Sequence, residues 1–371
     1  MDADVIVVGG GPGGASAAAF LKRKGFSVLL LEKSSLPRYK ACAGCVPAGG
    51  LDLLPFSCEE IIEQAIDRAT FACGSKRVTQ PVPEGSLYMV RRDRFDWFLL
   101  QKSGAWIEPG CAVTAVEPAG DRVRVVCSDG RSYTAGHVIG ADGASSRVAA
   151  SLGLRRGKAV GAAVQFELKA TPAVLEHFQG RLVVGFGVLD RGYYWIFPKK
   201  NHLSVGIGTM NKRGVSLVQT LQEAARQFDL SLDSGPRHAH PLPIHVRPEP
   251  LHQGRCLLVG DAAGLVDPLT GEGIRHAMES GWLAAEVIAK GNREDYSRLI
   301  DERIGRDLRR AYRLASFFYP RQGLCFHWLV RHRRIFRQMT RILASRSTYR
   351  QALTALPLIG LDFWNRRSLD A

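Results

Sequence analysis

Val5-Ile6-Val7-Val8-Gly9-Gly10-Gly11-Pro12-Gly13-Gly14-Ala15-Ser16 carries the architectural signal of this 371-residue chain. Four β-branched apolar residues in a row suit a buried parallel strand, which has no solvent face to alternate with. The glycines fit G-x-G-x-x-G, and the Ala-rich residues 15–24 read as a helix ended by Gly25. A second apolar strand over residues 27–31 closes at Glu32 and completes a βαβ unit of about 30 residues. Gly9 permits the sharp turn, Gly11 lets the backbone approach a pyrophosphate, and Gly14 lets the helix pack closely on the strand. The helix start, where Pro12, Gly13 and Ala15 are cofactor-binding candidates, offers oriented N–H groups to an anion from its non-proline residues, while Glu32, followed by Lys33, can accept from ribose hydroxyls. Strand, turn, helix and acid in this order predict a dinucleotide site, and the acid disfavours a 2′-phosphate.

Farther along, residues 122–127 and 131–134 flank Asp129-Gly130, a hairpin pair, so the first sheet is not purely parallel. Residues 161–168, 181–188, 193–197 and 203–209 look like strands and 214–229 like a helix, which predicts an antiparallel sheet inserted into the nucleotide-binding domain. A buried strand over 256–259, a glycine turn and a helix over about 273–289 return the chain to the first domain. The predicted class is therefore α/β: a Rossmann-type domain from residues 1–75, 92–155 and 246–294, an inserted α+β substrate domain from 76–91 and 156–245, and a basic helical segment from 295–371. Residues 37–50, rich in proline, glycine and cysteine without periodicity, read as a site-lining loop.

With 46% hydrophobic residues the chain can bury two or more cores, and no window approaches 18 uninterrupted apolar residues. Its first residues run straight into a strand without a basic leader, so the expected location is the cytoplasm. Eight irregularly spaced cysteines do not make a secreted disulfide scaffold. Net charge is +15, and residues 301–350 alone hold thirteen arginines against three acids, a net +10. These arginines interleave with Phe317, Phe318, Tyr319, Phe326, Trp328, Leu329, Ile335 and Phe336. That mixture favours peripheral contact with a lipid surface over nucleic acid, or else a solvated helical face packed on the catalytic body.

Two later runs specify the nucleotide. Gly140-Ala141-Asp142-Gly143-Ala144-Ser145-Ser146-Arg147 and Gly260-Asp261-Ala262-Ala263-Gly264 each follow a strand, and they resemble the second and third flavin motifs of the p-hydroxybenzoate hydroxylase-like flavoproteins. The resemblance implies FAD, with Ala141, Asp142 and Gly143 beside it and Asp261 bonding its ribityl chain. It also brings Asp267-Pro268-Leu269-Thr270-Gly271-Glu272-Gly273-Ile274 close to the isoalloxazine, where Pro268, Gly271, Gly273 and Ile274 would contact the ring. Arg92, in Arg92-Asp93-Arg94-Phe95-Asp96, matches the superfamily's flavin-contacting arginine.

Tyr193-Tyr194-Trp195-Ile196-Phe197-Pro198 resembles the Y-x-W-x-F-P element of the geranylgeranyl reductase family, and Val205-Gly206-Ile207-Gly208 follows as it does there. Alternation puts Tyr193, Trp195 and Phe197 on one face of a strand, a suitable wall for an isoprenoid chain. Lys40-Ala41-Cys42-Ala43-Gly44-Cys45 resembles that family's K-x-C-G-G-G loop, with Ala43 and Cys45 in place of glycine and Cys42 at the family's cysteine. Cys42 and Cys45 also spell C-x-x-C, a redox pair or half of a metal site, but no second such pair or paired histidine motif favours zinc.

The resemblance implies reduction of carbon–carbon double bonds in a prenyl chain by hydride from N5 of reduced FAD. An isolated alkene is a poor hydride acceptor, so an acid would protonate one carbon, with Cys42 near that event. The implied electron donor is NAD(P)H or a reduced ferredoxin-like protein, and a basic surface would suit an acidic donor. The alternative within the same superfamily is an FAD-dependent monooxygenase of an apolar or aromatic substrate. A halogenase is disfavoured because no W-x-W-x-I-P element is found. Outside enzymes, the remaining reading is a membrane- or nucleic-acid-binding module with a vestigial nucleotide fold.

Overall fold

The computed structural model describes residues 2–155, 159–210, 216–232 and 235–352. The opening apolar run lies in strand Asp2–Val8, whose Val5, Ile6 and Val7 have no exposed surface. It has parallel partners on both sides, Val28–Glu32 and Ser132–Gly140, which accounts for the absence of alternation. Trp106–Pro109 and Cys256–Leu258 extend this sheet, also in parallel, and Arg122–Cys127 and Val113–Ala119 branch from Ser132–Gly140 as an antiparallel pair. Helices Pro12–Arg23 and Ile274–Lys290 pack against each other so tightly that a Cβ on Gly281 would lie 2.3 Å from the Gly13 carbonyl oxygen.

A second, seven-stranded sheet runs in the order Arg237–Ile244, Ala159–Lys169, His202–Thr209, Gly192–Pro198, Arg181–Phe186, Arg68–Cys73, Lys76–Pro81. All its pairings are antiparallel except that of Arg181–Phe186 with Arg68–Cys73. One face, with Tyr194, Ile196 and Val205, is covered by helix Leu217–Arg226. The opposite face, with Phe71, Trp195 and Phe197, packs against Phe318, Phe326, Leu329 and Phe336 of the C-terminal helices Arg306–Phe318, Gln322–Arg331 and Arg333–Leu343, and against Tyr319 in the turn between the first two.

Two expectations need correction. Arg68–Cys73, assigned from the sequence to the nucleotide-binding part, belongs to the second sheet, because its partner Arg181–Phe186 is brought to it from far along the chain. The stretch read as loop contains strand Cys45–Pro47 and a short helix, Ala48–Leu51; the strand is held by pairing with Leu87–Val90. The basic C-terminal segment packs on the body, as one of the two readings of its sequence had it: Ala315, Phe318, Tyr319, Phe326, Leu329 and Phe336 join the core of the second sheet. Residues 353–371 and 211–215, which include the expected start of the 214–229 helix, lie outside the described residues.

Candidate active site

A cavity of 870 Å³ lies where the two sheets and the C-terminal helices meet. Gly11, Pro12 and Gly13 line it from the first βα turn, as do Gly143, Gly260, Asp261, Gly271, Gly273 and Ile274 from the two later motifs. Tyr193, Trp195 and Phe197 line it from the second sheet, with neighbouring ring centroids 6.1 and 6.4 Å apart. Cys42 and Arg92 reach it as well. The structure thus brings fourteen of the sequence-predicted site residues to one chamber.

The others stand behind its walls. Gly9 has φ +106°, and a Cβ there would lie 2.4 Å from the Ala141 carbonyl oxygen, so only glycine fits. A Cβ on Gly14 would meet the Gly9 oxygen at 2.1 Å. Glu32 is buried and accepts from the N–H groups of Gly10 (2.8 Å) and Ser34 (3.0 Å), bracing the glycine turn with oxygen lone pairs to spare. Asp142 accepts from the N–H groups of Arg147 and Val148 and so caps helix Arg147–Ser151. Ala15 is buried, Lys33 is exposed, and neither they nor Ala141 and Pro268 line the cavity.

Around the predicted Arg92 and Asp261 stand polar groups that were not anticipated, Arg38, Lys40, Lys199 and His240 among them. Arg92 donates through Nε and Nη2 to both oxygens of Asp96, at 2.8 and 2.9 Å. Burial opposes its charge, but Asp96 and the neighbouring Cys42 hold Arg92 firmly protonated. Arg38 pairs with the same Asp96 at 3.1 Å and with Glu32 at 3.4 Å. Lys40 Nζ contacts His240 Nε2 at 2.6 Å, and that nitrogen lies 3.6 Å from Asp261. Burial, and then the Arg92 guanidinium, push the Lys40 ammonium down to about 8. Burial would raise the Asp261 carboxyl, yet His240 and Lys40 hold it below its ordinary value. Lys199, buried beneath the Lys40–Cys45 loop, donates to the carbonyls of Ala43 (2.6 Å) and Val90 (2.9 Å) and so fixes the backbone beside Cys42. The signal for His238 and His240 was their i, i+2 spacing, which puts both on the cavity side of strand Arg237–Ile244.

These residues fit FAD. Helix Pro12–Arg23 has no side-chain cap at Gly11, which leaves its first N–H groups free for a pyrophosphate. Arg38 Nη1 is buried without an aligned hydrogen bond, and Nη2 lies 3.9 Å from where a Cβ on Gly11 would sit, so a guanidinium flanks the same turn. The Asp261 carboxylate suits a polyol, and the glycines at 260, 271 and 273 keep side chains off the cavity wall.

The sequence profile of the FAD binding domain family matches residues 2–303. The chloroplastic geranylgeranyl diphosphate reductase of Nicotiana tabacum is 33% identical over 326 residues, covering 80% of this chain and 68% of that protein. The chain belongs to the geranylgeranyl reductase family. The digeranylgeranylglycerophospholipid reductase of Methanocaldococcus jannaschii is 31% identical over 304 residues, 77% of each chain. A crystal structure of a geranylgeranyl bacteriochlorophyll reductase-like protein from Thermoplasma acidophilum shares the fold, with a TM-score of 0.74 at 24% identity over 85% of this chain and 87% of that one. As a geranylgeranyl reductase family member the chain is an FAD-dependent oxidoreductase. Among the described residues, no helix is long and apolar enough to cross a membrane and no group of three or more His, Cys, Asp or Glu is placed to hold a metal ion.

Proposed function

We propose that this family member reduces carbon–carbon double bonds of a prenyl chain. The observation that carries the reading is the aromatic face Tyr193, Trp195, Phe197, which shares one cavity with the glycine turns of all three flavin motifs. The chemistry FAD supplies when bound and reduced is hydride delivery to carbon. The chain's own residues would position the substrate: an isoprenoid offers no polar handle, so apolar walls from the sheet and from Leu314, Phe318, Leu329 and Leu343 must hold it. Gly11, Gly13, Arg38, Arg92 and Asp261 would hold the cofactor, with Cys42 next to Arg92 at the reacting end. The electron donor is NAD(P)H or a reduced ferredoxin-like protein, for which the arginine-rich surface is a complementary dock. The same surface supports peripheral contact with a membrane, from which a lipid substrate is collected.

The test is an absorbance spectrum of the purified protein from about 300 to 550 nm, repeated anaerobically with NADH or NADPH and then with a prenyl substrate. Bands that bleach with reductant and return anaerobically only on adding the prenyl compound support the reading. Bands that return only with oxygen would replace it with a monooxygenase, and protein that cannot take up FAD would remove it.

A further inference from the structure

Three tyrosine hydroxyls converge on one five-residue loop, 267–271, from three separate parts of the chain. Tyr193, on strand Gly192–Pro198, donates to the Thr270 carbonyl. Tyr319, between the first two C-terminal helices, donates to the Leu269 carbonyl at 2.7 Å. Tyr349, beyond the last of those helices, donates to Asp267 Oδ2 at 2.8 Å. All three tyrosines and every residue of the loop except Pro268 line the cavity.

The loop is folded around its own carboxylate. Asp267 Oδ1 accepts from the N–H groups of Leu269 (2.7 Å) and Thr270 (3.0 Å), and the Asp267 carbonyl accepts from Gly271 (2.9 Å). Asp267 is 4% exposed and has no lysine or arginine ion-pair partner among the described residues. Its burial is therefore offset mainly by hydrogen bonds, and Tyr349 supplies the one on Oδ2. Tyr349 is itself clasped, because its N–H and that of Arg350 donate to Asp307 of helix Arg306–Phe318, at 3.1 and 3.2 Å. A phenylalanine at 349 would fill the same space. The hydroxyl serves only the loop: it bonds Asp267 and the side chain of Thr270.

We propose that Tyr349 is a positioning residue for the flavin: through Asp267 it sets the backbone of the 267–271 loop where that loop borders the cofactor cavity. The inference rests on FAD occupying this cavity and is independent of the prenyl substrate. A merely structural tyrosine would contribute to folding without touching the cofactor.

The experiment uses the full-length protein without substrate or reductant, so it can fail while the prenyl reading stands, and the reverse. Tyr349→Phe is compared with the unmodified chain for FAD dissociation constant, flavin visible spectrum and melting temperature. A stranded carboxylate oxygen is expected to weaken FAD binding about tenfold and to shift the flavin bands. Adding Asp267→Asn recovers most of that loss, because a neutral amide is no longer a stranded charge. Tyr319→Phe removes a second hydroxyl from the same loop; it acts in the same direction and serves if Tyr349→Phe does not fold. Unchanged FAD affinity and spectrum in a folded variant, even with a lower melting temperature, would overturn the proposal, and so would strictly additive effects of Tyr349→Phe and Asp267→Asn.

Discussion

His245 is a histidine shut away from water, 2% exposed, with Nδ1 lacking a partner among the described residues. Burial first, then the guanidinium groups of Arg309 and Arg155, push its imidazolium down to about 4, against an ordinary value near 6.5. Between these two values the unfolded chain binds a proton that the folded chain refuses. The stability His245 contributes is therefore complete above about pH 6.5 and is lost as pH falls toward 4, by up to about 3 kcal/mol. His137, also pushed down to about 4 by burial and then by Arg255 and Arg293, acts in the same direction. Melting temperature should fall steeply from pH 7 to 5, and His245→Gln should flatten that slope. An equally steep slope in the variant would show that His245 is not responsible.

Pairs of strands explain why certain small residues are required. In the register of Gly192–Pro198 with His202–Thr209, Trp195 lies opposite Gly206, and a Cβ on Gly206 would come 2.1 Å from the indole ring. Gly206→Ala must therefore displace Trp195 from the cavity wall, at a cost of about 1–3 kcal/mol. Chemical denaturation should register that loss together with altered tryptophan fluorescence, and an unchanged midpoint would mean that the ring has room to move. At this scale the sequence was informative where the signal was local. Alternation placed Tyr193, Trp195 and Phe197 together, and glycine runs after apolar strands marked the turns that now line the cavity. Distant or exceptional pairings were illegible. Arg68–Cys73 gains its place from a partner more than a hundred residues away. Arg237–Ile244 contains Pro241 and Pro243, residues that argue against a strand except at a sheet edge, which is where it lies; with no strand read there, His238 and His240 looked scattered. Nor does a sequence of mixed arginines and aromatics say which rings point inward: Phe318, Tyr319, Phe326 and Phe336 are buried, while Phe317 and Trp328 are not.

The whole molecule presents its apolar exposure unevenly. Phe317 (58% exposed), Leu324 (76%) and Trp328 (39%) stand out on the C-terminal helices, and Phe317 and Trp328 also line the cavity. Around them, residues 308–352 hold eleven arginines and no aspartate or glutamate. The proposed membrane contact therefore predicts that the protein pellets with vesicles containing an anionic lipid, less so at high salt. Phe317→Glu with Leu324→Glu should reduce pelleting several-fold while the melting temperature stays within about 2 °C, since both side chains are exposed. Equal pelleting of both proteins would count against this face, and none by the unmodified chain would end the idea of contact. Truncating the helices would be a poor test, because it also removes Tyr319, Phe326 and Phe336 from the core they complete.

That shared core also imposes an order in time. The glycine turns and the aromatic strand are all translated by residue 274, whereas the helices that roof the cavity emerge afterwards. On the ribosome the walls that carry these turns are therefore made before the helices that complete the cavity's lining.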